Sequence, residues 1–275
     1  MKPAVQAVLI LLLAAACGKT GQNREGDHRL VVLGPSLVEV IYASGLGDRV
    51  VGVDRFSRWP QAAAELPDVG RYSDPALETI ASLTPTSIHI TGESPMLSGY
   101  ARELGIPCYS YDFNDLAGVY RSLDSLHARY GGEVLTFRDS IESTLDSISA
   151  FTRPLPSYSV LVVVYHELGS SSMTVAGGST FYSDILNSMG CNVSSPEAAS
   201  WPVVSAEGVL ELDPDRVLCL YPGAGDSIAT VAAEMEFWTE LGYSDSSVHF
   251  LFQPWIMVPG ARLPRIAEVI CSCLY

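Results

Sequence analysis

Basic residues are scarce in this chain: Lys and Arg number 16 against 31 Asp and Glu, for a formal charge of −15. A surface so poor in cations cannot neutralise a phosphate backbone, which excludes a nucleic-acid partner. It leaves room for a partner whose own surface is basic. Catalytic patterns are missing as well. No G-x-S-x-G is present, since "LGPSL" lacks the second glycine, and there is no H-E-x-x-H. The 5 histidines are scattered. His28 lies in a polar tract and His127 in a helical segment, and His89, inside an apolar run, is expected to be a satisfied core histidine. His166 and His249 alone are too few for a closed metal site, and no C-x-x-C pair exists. These absences predict a protein that is not an enzyme and holds neither a metal ion nor a cofactor of its own.

Long apolar runs are also missing, apart from Pro3–Ala16. That stretch falls short of the roughly 20 residues that span a bilayer, but it suits the core of an export signal. Small residues lead into Cys17, as in the lipobox of bacterial lipoproteins, where the cysteine is lipidated; Ala14 stands where that pattern usually has leucine. Residues 1–17 are therefore expected to be a lipoprotein signal peptide. The polar residues 18–29 are expected to form a flexible tether from a membrane anchor. Beyond Cys17, the cysteines are Cys108, Cys191, Cys219, Cys271 and Cys273, an odd set that leaves at least one thiol free.

What the sequence does contain is an α/β rhythm. Apolar residues make up 48% of it, enough to bury a substantial core. "RLVVLG", "RVVGVD", "TSIHITG" and "IPCYSYD" read as strands, with "LVEVIYASGLG", "ALETIASL" and "SGYARELG" as helices between them. From Asp115 to Ala150 only helix is expected, broken at Gly131-Gly132, and its second part sets Val134, Phe137, Ile141, Leu145 and Ile148 in one stripe. "RPLPS" ends it. Strand and helix then alternate again, from "SVLVVVYHE" to a closing helix in "ARLPRIAEVICSCL". The expected fold is α/β: two Rossmann-like lobes with mostly parallel sheets, residues 30–130 and 153–275, joined by one long bridging helix over 131–152.

The two lobes share a phrase. "YSDPALETIASLTPTSIHI" begins at Tyr72 and "WPVVSAEGVLELDPDRVLCL" at Trp201. Tyr72 stands to Glu78, Leu83 and Pro85 as Trp201 stands to Glu207, Leu212 and Pro214. A first-turn carboxylate alone would be unremarked, because the helix dipole favours it. The matched intervals point further, to two exposed carboxylates, one per lobe, offered to a two-fold partner with basic pockets. Phe56 and Trp59 follow the second strand and Trp255 the last, so large aromatics fall in the loops where parallel sheets bind ligands.

These stretches, with "VVLGPSLVEVIYASGLGDRVVGVDRFSRWP", "VGRYSDPALETIASLTPTSIHITG", "VAGGSTFYSDILNSMGC" and "PGARL", resemble the class III substrate-binding proteins of ABC importers. That group delivers vitamin B12, iron–siderophores or haem. The resemblance implies a ligand held between two lobes joined by a helix with little hinge movement. It also implies docking of Glu78 and Glu207 onto arginines of a permease dimer with its ATPase subunits, by a monomer anchored at the cell envelope. In the vitamin B12 binders Phe56, Tyr72 and Trp201 match pocket aromatics, and "WPVVSAEGVL" is particularly close. Trp255, Arg58, Arg71 and Arg262 join them as expected ligand-binding residues. The implied ligand is a corrinoid. A ferric siderophore, suited by the cluster Arg55, Arg58 and Arg71, and haem are the alternatives; haem binders tend to carry tyrosine where Arg71 stands. An acidic–basic pair of some vitamin B12 binders appears here as Pro254 and Val258. The family also sometimes ties the last helix by a disulfide, which implies a Cys191–Cys271 pair.

Overall fold

The computed structural model describes residues 28–196, 199–223 and 228–275. The expected signal peptide, Cys17 and residues 18–27 lie outside the described residues. His28 and Arg29 already belong to the folded body, the Arg29 guanidinium donating to the Leu83 carbonyl at 2.7 Å.

The first lobe runs β1 (Leu30–Leu33), α1 (Pro35–Ala43), β2 (Val50–Val53), the single turn α2 (Gln61–Ala64), β3 (Gly70–Arg71) and β4 (Asp74–Pro75). It continues with α3 (Leu77–Ser82), β5 (Ser87–Thr91), α4 (Pro95–Glu103), β6 (Cys108–Tyr111) and α5 (Leu116–Tyr130). Its main sheet is parallel throughout, in the order β2-β1-β5-β6. Both faces are covered, so β1 is an unbroken apolar run, LVVL, with every residue buried. Side-chain caps set the starts of α4 and α5: Ser94 accepts from the Leu97 amide and Asp115 from the Gly118 amide.

Helix α6 (Val134–Thr152) follows, 19 residues long, or about 28 Å. It buries Val134, Phe137, Ile141, Leu145 and Ile148 in one stripe and packs on α1 and α5 of the first lobe.

The second lobe runs β7 (Ser159–His166), β8 (Ser172–Val175), α7 (Phe181–Ser188), β9 (Asn192–Val193), β10 (Val203–Ser205) and α8 (Ala206–Leu212). β11 (Arg216–Leu220), α9 (Ile228–Glu240), β12 (Val248–Leu251) and α10 (Leu263–Leu274) complete it. Helix α6 also packs on α7 and α10, so it touches both lobes. The sheet order is β10-β8-β7-β11-β12, with β9 beside β7. β8 and β10 are antiparallel to their neighbours, so this sheet is mixed. These two strands depart from the expected strand–helix alternation, because "SMTV" and "VVS" are too short to show a strand period.

One apolar core runs through both lobes, from Leu37 and Val38 of α1 through Ile141 of α6 to Ile185 of α7 and Ile266 of α10. Its far end corrects one expectation. Cys191 and Cys271 are free thiols, not a disulfide. The Cys191 sulfur instead lies 3.3 Å from the Tyr275 hydroxyl, which donates to the Pro156 carbonyl at 2.8 Å and occupies the space beside it. His89 is fully buried and satisfied, its ring nitrogens 3.0 Å from the Tyr111 hydroxyl and 2.9 Å from those of Tyr130 and Ser87. Burial pushes its pKa down to about 3.

Candidate functional site

The carboxyl ends of the parallel strands in both lobes face one crevice, where open α/β sheets bind ligands. Two cavities occupy it. The first, about 420 Å³, is lined from both lobes by residues that include Phe113, Asn114, Phe181, Tyr182, Trp201 and Met257. The second, about 560 Å³, takes Glu39, Phe56, Arg58 and Trp59 from the first lobe and Trp255 and Arg262 from the second. They are neighbours: Pro35 lines one and Ser36 the other, and Val258 lies between Met257 and Pro259 across the same division.

The first cavity is built on aromatic packing. Phe181 and Tyr182 lie 4.0 Å apart between ring centroids, and Trp201 meets Tyr182 edge-on at 6.3 Å. The Tyr182 hydroxyl donates to the Ile256 carbonyl at 2.8 Å, and burial raises its pKa. Asn114 fixes Trp201. Its side-chain oxygen accepts from the indole N–H at 3.1 Å, while its amide nitrogen donates to the Ser179 carbonyl and to the Ser200 hydroxyl. The Asn114 carbonyl also accepts from the Phe181 amide at 2.7 Å. One residue of the first lobe thus pins two segments of the second, 179–181 and 200–201. Thr91 Oγ1, in the same cavity, is buried without a partner among the described residues. It crowds Gly34, whose φ of +125° needs glycine and where a Cβ would fall 2.1 Å from that oxygen.

The second cavity is built on a loop held by Asp54. Its buried carboxylate accepts from the Gly34 amide, from the Phe56 amide at 2.8 Å and from the Ser57 hydroxyl at 2.8 Å. That ordering presents Phe56, Arg58 and Trp59 to the crevice. Opposite them, Arg262 forms a two-pronged ion pair with Glu39. Burial raises the Glu39 pKa, and the Arg262 hydrogen bonds and charge oppose that rise. The guanidinium also lies 4.6 Å from the Trp59 ring and 5.7 Å from that of Trp255. Gly260 lets the chain pass, since a Cβ there would stand 2.7 Å from Glu39 Oε2.

The structure therefore brings Trp201 into the first cavity and Phe56, Arg58, Trp255 and Arg262 into the second. Arg262 arrives already committed to Glu39. Tyr72 and Arg71 line neither. Tyr72 is 39% exposed at the tip between β3 and β4, and a Cβ on Gly92, in the first cavity's wall, would stand 3.9 Å from its hydroxyl. The Arg71 guanidinium lies 5.7 Å from the Phe56 ring. No group of three or more His, Cys, Asp or Glu side chains among the described residues is placed to hold a metal ion. His166 faces Glu234 at 3.0 Å with one nitrogen and the Ser170 carbonyl at 3.0 Å with the other.

Glu78 and Glu207 are both exposed, each the second residue of its short helix, α3 or α8. Hydrogen bonds from its own backbone N–H and the Ser205 hydroxyl hold the Glu207 carboxyl below the usual range. Both helices stop in the same way. Thr84 has φ +45° and Asp213 φ +43°, the two positive-φ residues other than glycine among the described residues, and each directly precedes the matched proline. Such a conformation costs about 1–2 kcal/mol, so its repetition marks a shared architectural element.

A family model described as "Periplasmic binding protein" matches residues 30–236. A curated relative, the vitamin B12-binding protein of Pectobacterium atrosepticum, is 26% identical over 254 residues, 90% of this chain and 88% of that one. Among solved structures, a periplasmic haem-binding protein from Pseudomonas aeruginosa superposes with a TM-score of 0.74 at 26% identity, over 90% of this chain and 92% of that one. The periplasmic vitamin B12-binding protein of Vibrio cholerae gives a TM-score of 0.70 at 21% identity, over 90% and 96%.

Proposed function

The chain belongs to the periplasmic binding protein family, and from that premise we propose that it is the ligand-capturing component of an ABC importer for a corrinoid. On this reading it is exported, anchored through a lipid on Cys17, and works as a monomer. It holds one small metal chelate between its lobes and docks Glu78 and Glu207 on a permease dimer with its ATPase subunits. The observation that carries the reading is the crevice itself: two adjoining cavities walled by Phe56, Trp59, Phe181, Tyr182, Trp201 and Trp255. Ring faces and apolar walls suit a large flat ligand rimmed with amides. A relative matching 90% of the chain is named as a vitamin B12-binding protein.

Haem is the second reading. It is supported by Tyr72, an exposed phenol close to Gly92 on the cavity wall, and by the haem-binding protein of Pseudomonas aeruginosa among the structural relatives. A ferric siderophore has less support, because Arg55 of the expected cationic cluster is paired with Asp68 at 3.7 Å.

Titrating the mature protein separately with cyanocobalamin and with haemin, by calorimetry and tryptophan fluorescence, tests the choice. Saturable one-to-one binding of cyanocobalamin is expected. Binding of haemin alone would replace the corrinoid reading with the haem reading.

A further inference from the structure

The second cavity contains two guanidinium groups, Arg58 and Arg262, and the chain treats them differently. Arg262 is neutralised by Glu39, whose side chain is 2% exposed, and it is flanked by Trp59 and Trp255. The pair spans the lobes, from α1 to the start of α10, and leaves no net charge for a ligand. Arg55, next to the cavity loop, is paired with Asp68, and Arg71 lies against Phe56 without lining either cavity. The nearest buried carboxylate on the loop, Asp54, is engaged by the Gly34 and Phe56 amides and the Ser57 hydroxyl. Arg58 is exposed, lines the cavity, and makes no ion pair among the described residues. Among the described residues the first cavity adds no cation to the crevice, and its one acidic lining residue, Asp112, is paired with Arg121 at 3.2 Å.

Among the described residues the crevice therefore has an aromatic half without cations and an aromatic half with a single uncompensated positive charge, in a chain of formal charge −15. We infer that Arg58 receives one anionic arm of the ligand while the ligand's flat body lies against Trp201, which Tyr182 backs from within the second lobe. Arg262 is a positioning residue that holds the lobes at this spacing through Glu39. This rests on the crevice being the ligand site, and it narrows the ligand class. A single guanidinium, able to fork onto two oxygens, suits one phosphodiester or one carboxylate. A trianionic ferric catecholate would leave two charges unmatched among aromatic walls. A corrinoid with its nucleotide loop carries one phosphodiester; haem carries carboxylates.

The test compares cyanocobalamin with dicyanocobinamide, which has the same corrin ring without the nucleotide phosphodiester, on the wild-type protein, Arg58→Gln and Arg58→Lys. The wild type should prefer cyanocobalamin. Arg58→Gln should shrink that preference by about tenfold, the usual size of a charge-assisted contact, and Arg58→Lys should restore part of it. An unchanged preference in Arg58→Gln would overturn the assignment, as would equal losses for both corrinoids. If the wild type binds neither corrinoid, the corrinoid reading fails by itself. Haemin and its dimethyl ester then replace the pair, and an Arg58→Gln protein that distinguishes those two as well as the wild type does would overturn the Arg58 assignment.

Discussion

Residues 72–90 and 201–220 carry the same elements in the same order, yet the two lobes hold them differently. In the first lobe Tyr72 is at the tip of a free two-residue ribbon, β3 against β4. In the second, Trp201 leads into β10, which pairs with β8 as part of the main sheet. Trp201 is hydrogen-bonded to Asn114; Tyr72 makes no side-chain hydrogen bond among those described. The α8 helix has a Ser205 cap that accepts from the Gly208 amide, whereas α3 starts at Ala76 without a side-chain cap. What stays constant is the exposed glutamate in the first turn and the strained stop before proline. A partner with two matching pockets would constrain those features and leave the aromatic ends free to diverge into different walls of one crevice.

The largest expected effect tests the constant part. Replacing both Glu78 and Glu207 with alanine should abolish ligand uptake by cells while leaving affinity in solution unchanged, and either single change should reduce uptake less. Loss of solution affinity in the double variant would show that these carboxylates serve the crevice instead. A smaller effect sharpens the difference between the aromatic ends. Trp201→Ala should weaken corrinoid binding by at least about thirtyfold, as for an aromatic anchor fixed in place, here by its hydrogen bond to Asn114. Tyr72→Ala should cost only a few-fold in the same calorimetric titration, and equal losses would erase the asymmetry. The smallest effect concerns the caps. Ser205→Ala should destabilise the second lobe by about 1 kcal/mol, seen as faster amide exchange in α8 with α3 unaffected.

Much of this was readable from the sequence, for a physical reason. Strands buried on both faces, such as LVVL in β1 and SVLVVVYH in β7, appear as near-continuous apolar runs rich in valine. The stripe of α6 is equally plain. Helix α9 starts at Ile228, earlier than the expected "MEFWTELG", because its first turns lack a clear apolar period. The site was less legible. Asn114 reads as a turn residue in "DFND", and nothing local shows that it will meet Trp201 from the other lobe. The Glu39–Arg262 pair links opposite ends of the chain. Its one sequence signal was an acid set among Leu37, Val38, Val40 and Ile41, all buried in α1. A carboxylate on such a face needs a partner, but only the fold shows which one.

The continuous core has a mechanical consequence. Because the same apolar packing passes from α1 through α6 into α7 and α10, the lobes cannot part like jaws without exposing it to water. The crevice is a fixture of set gape, stiff at the back and clamped across its second cavity by Glu39 and Arg262. Such a body stores little elastic slack. Widening the crevice therefore takes work that the folded body does not itself hold, and that work has to be supplied from outside it.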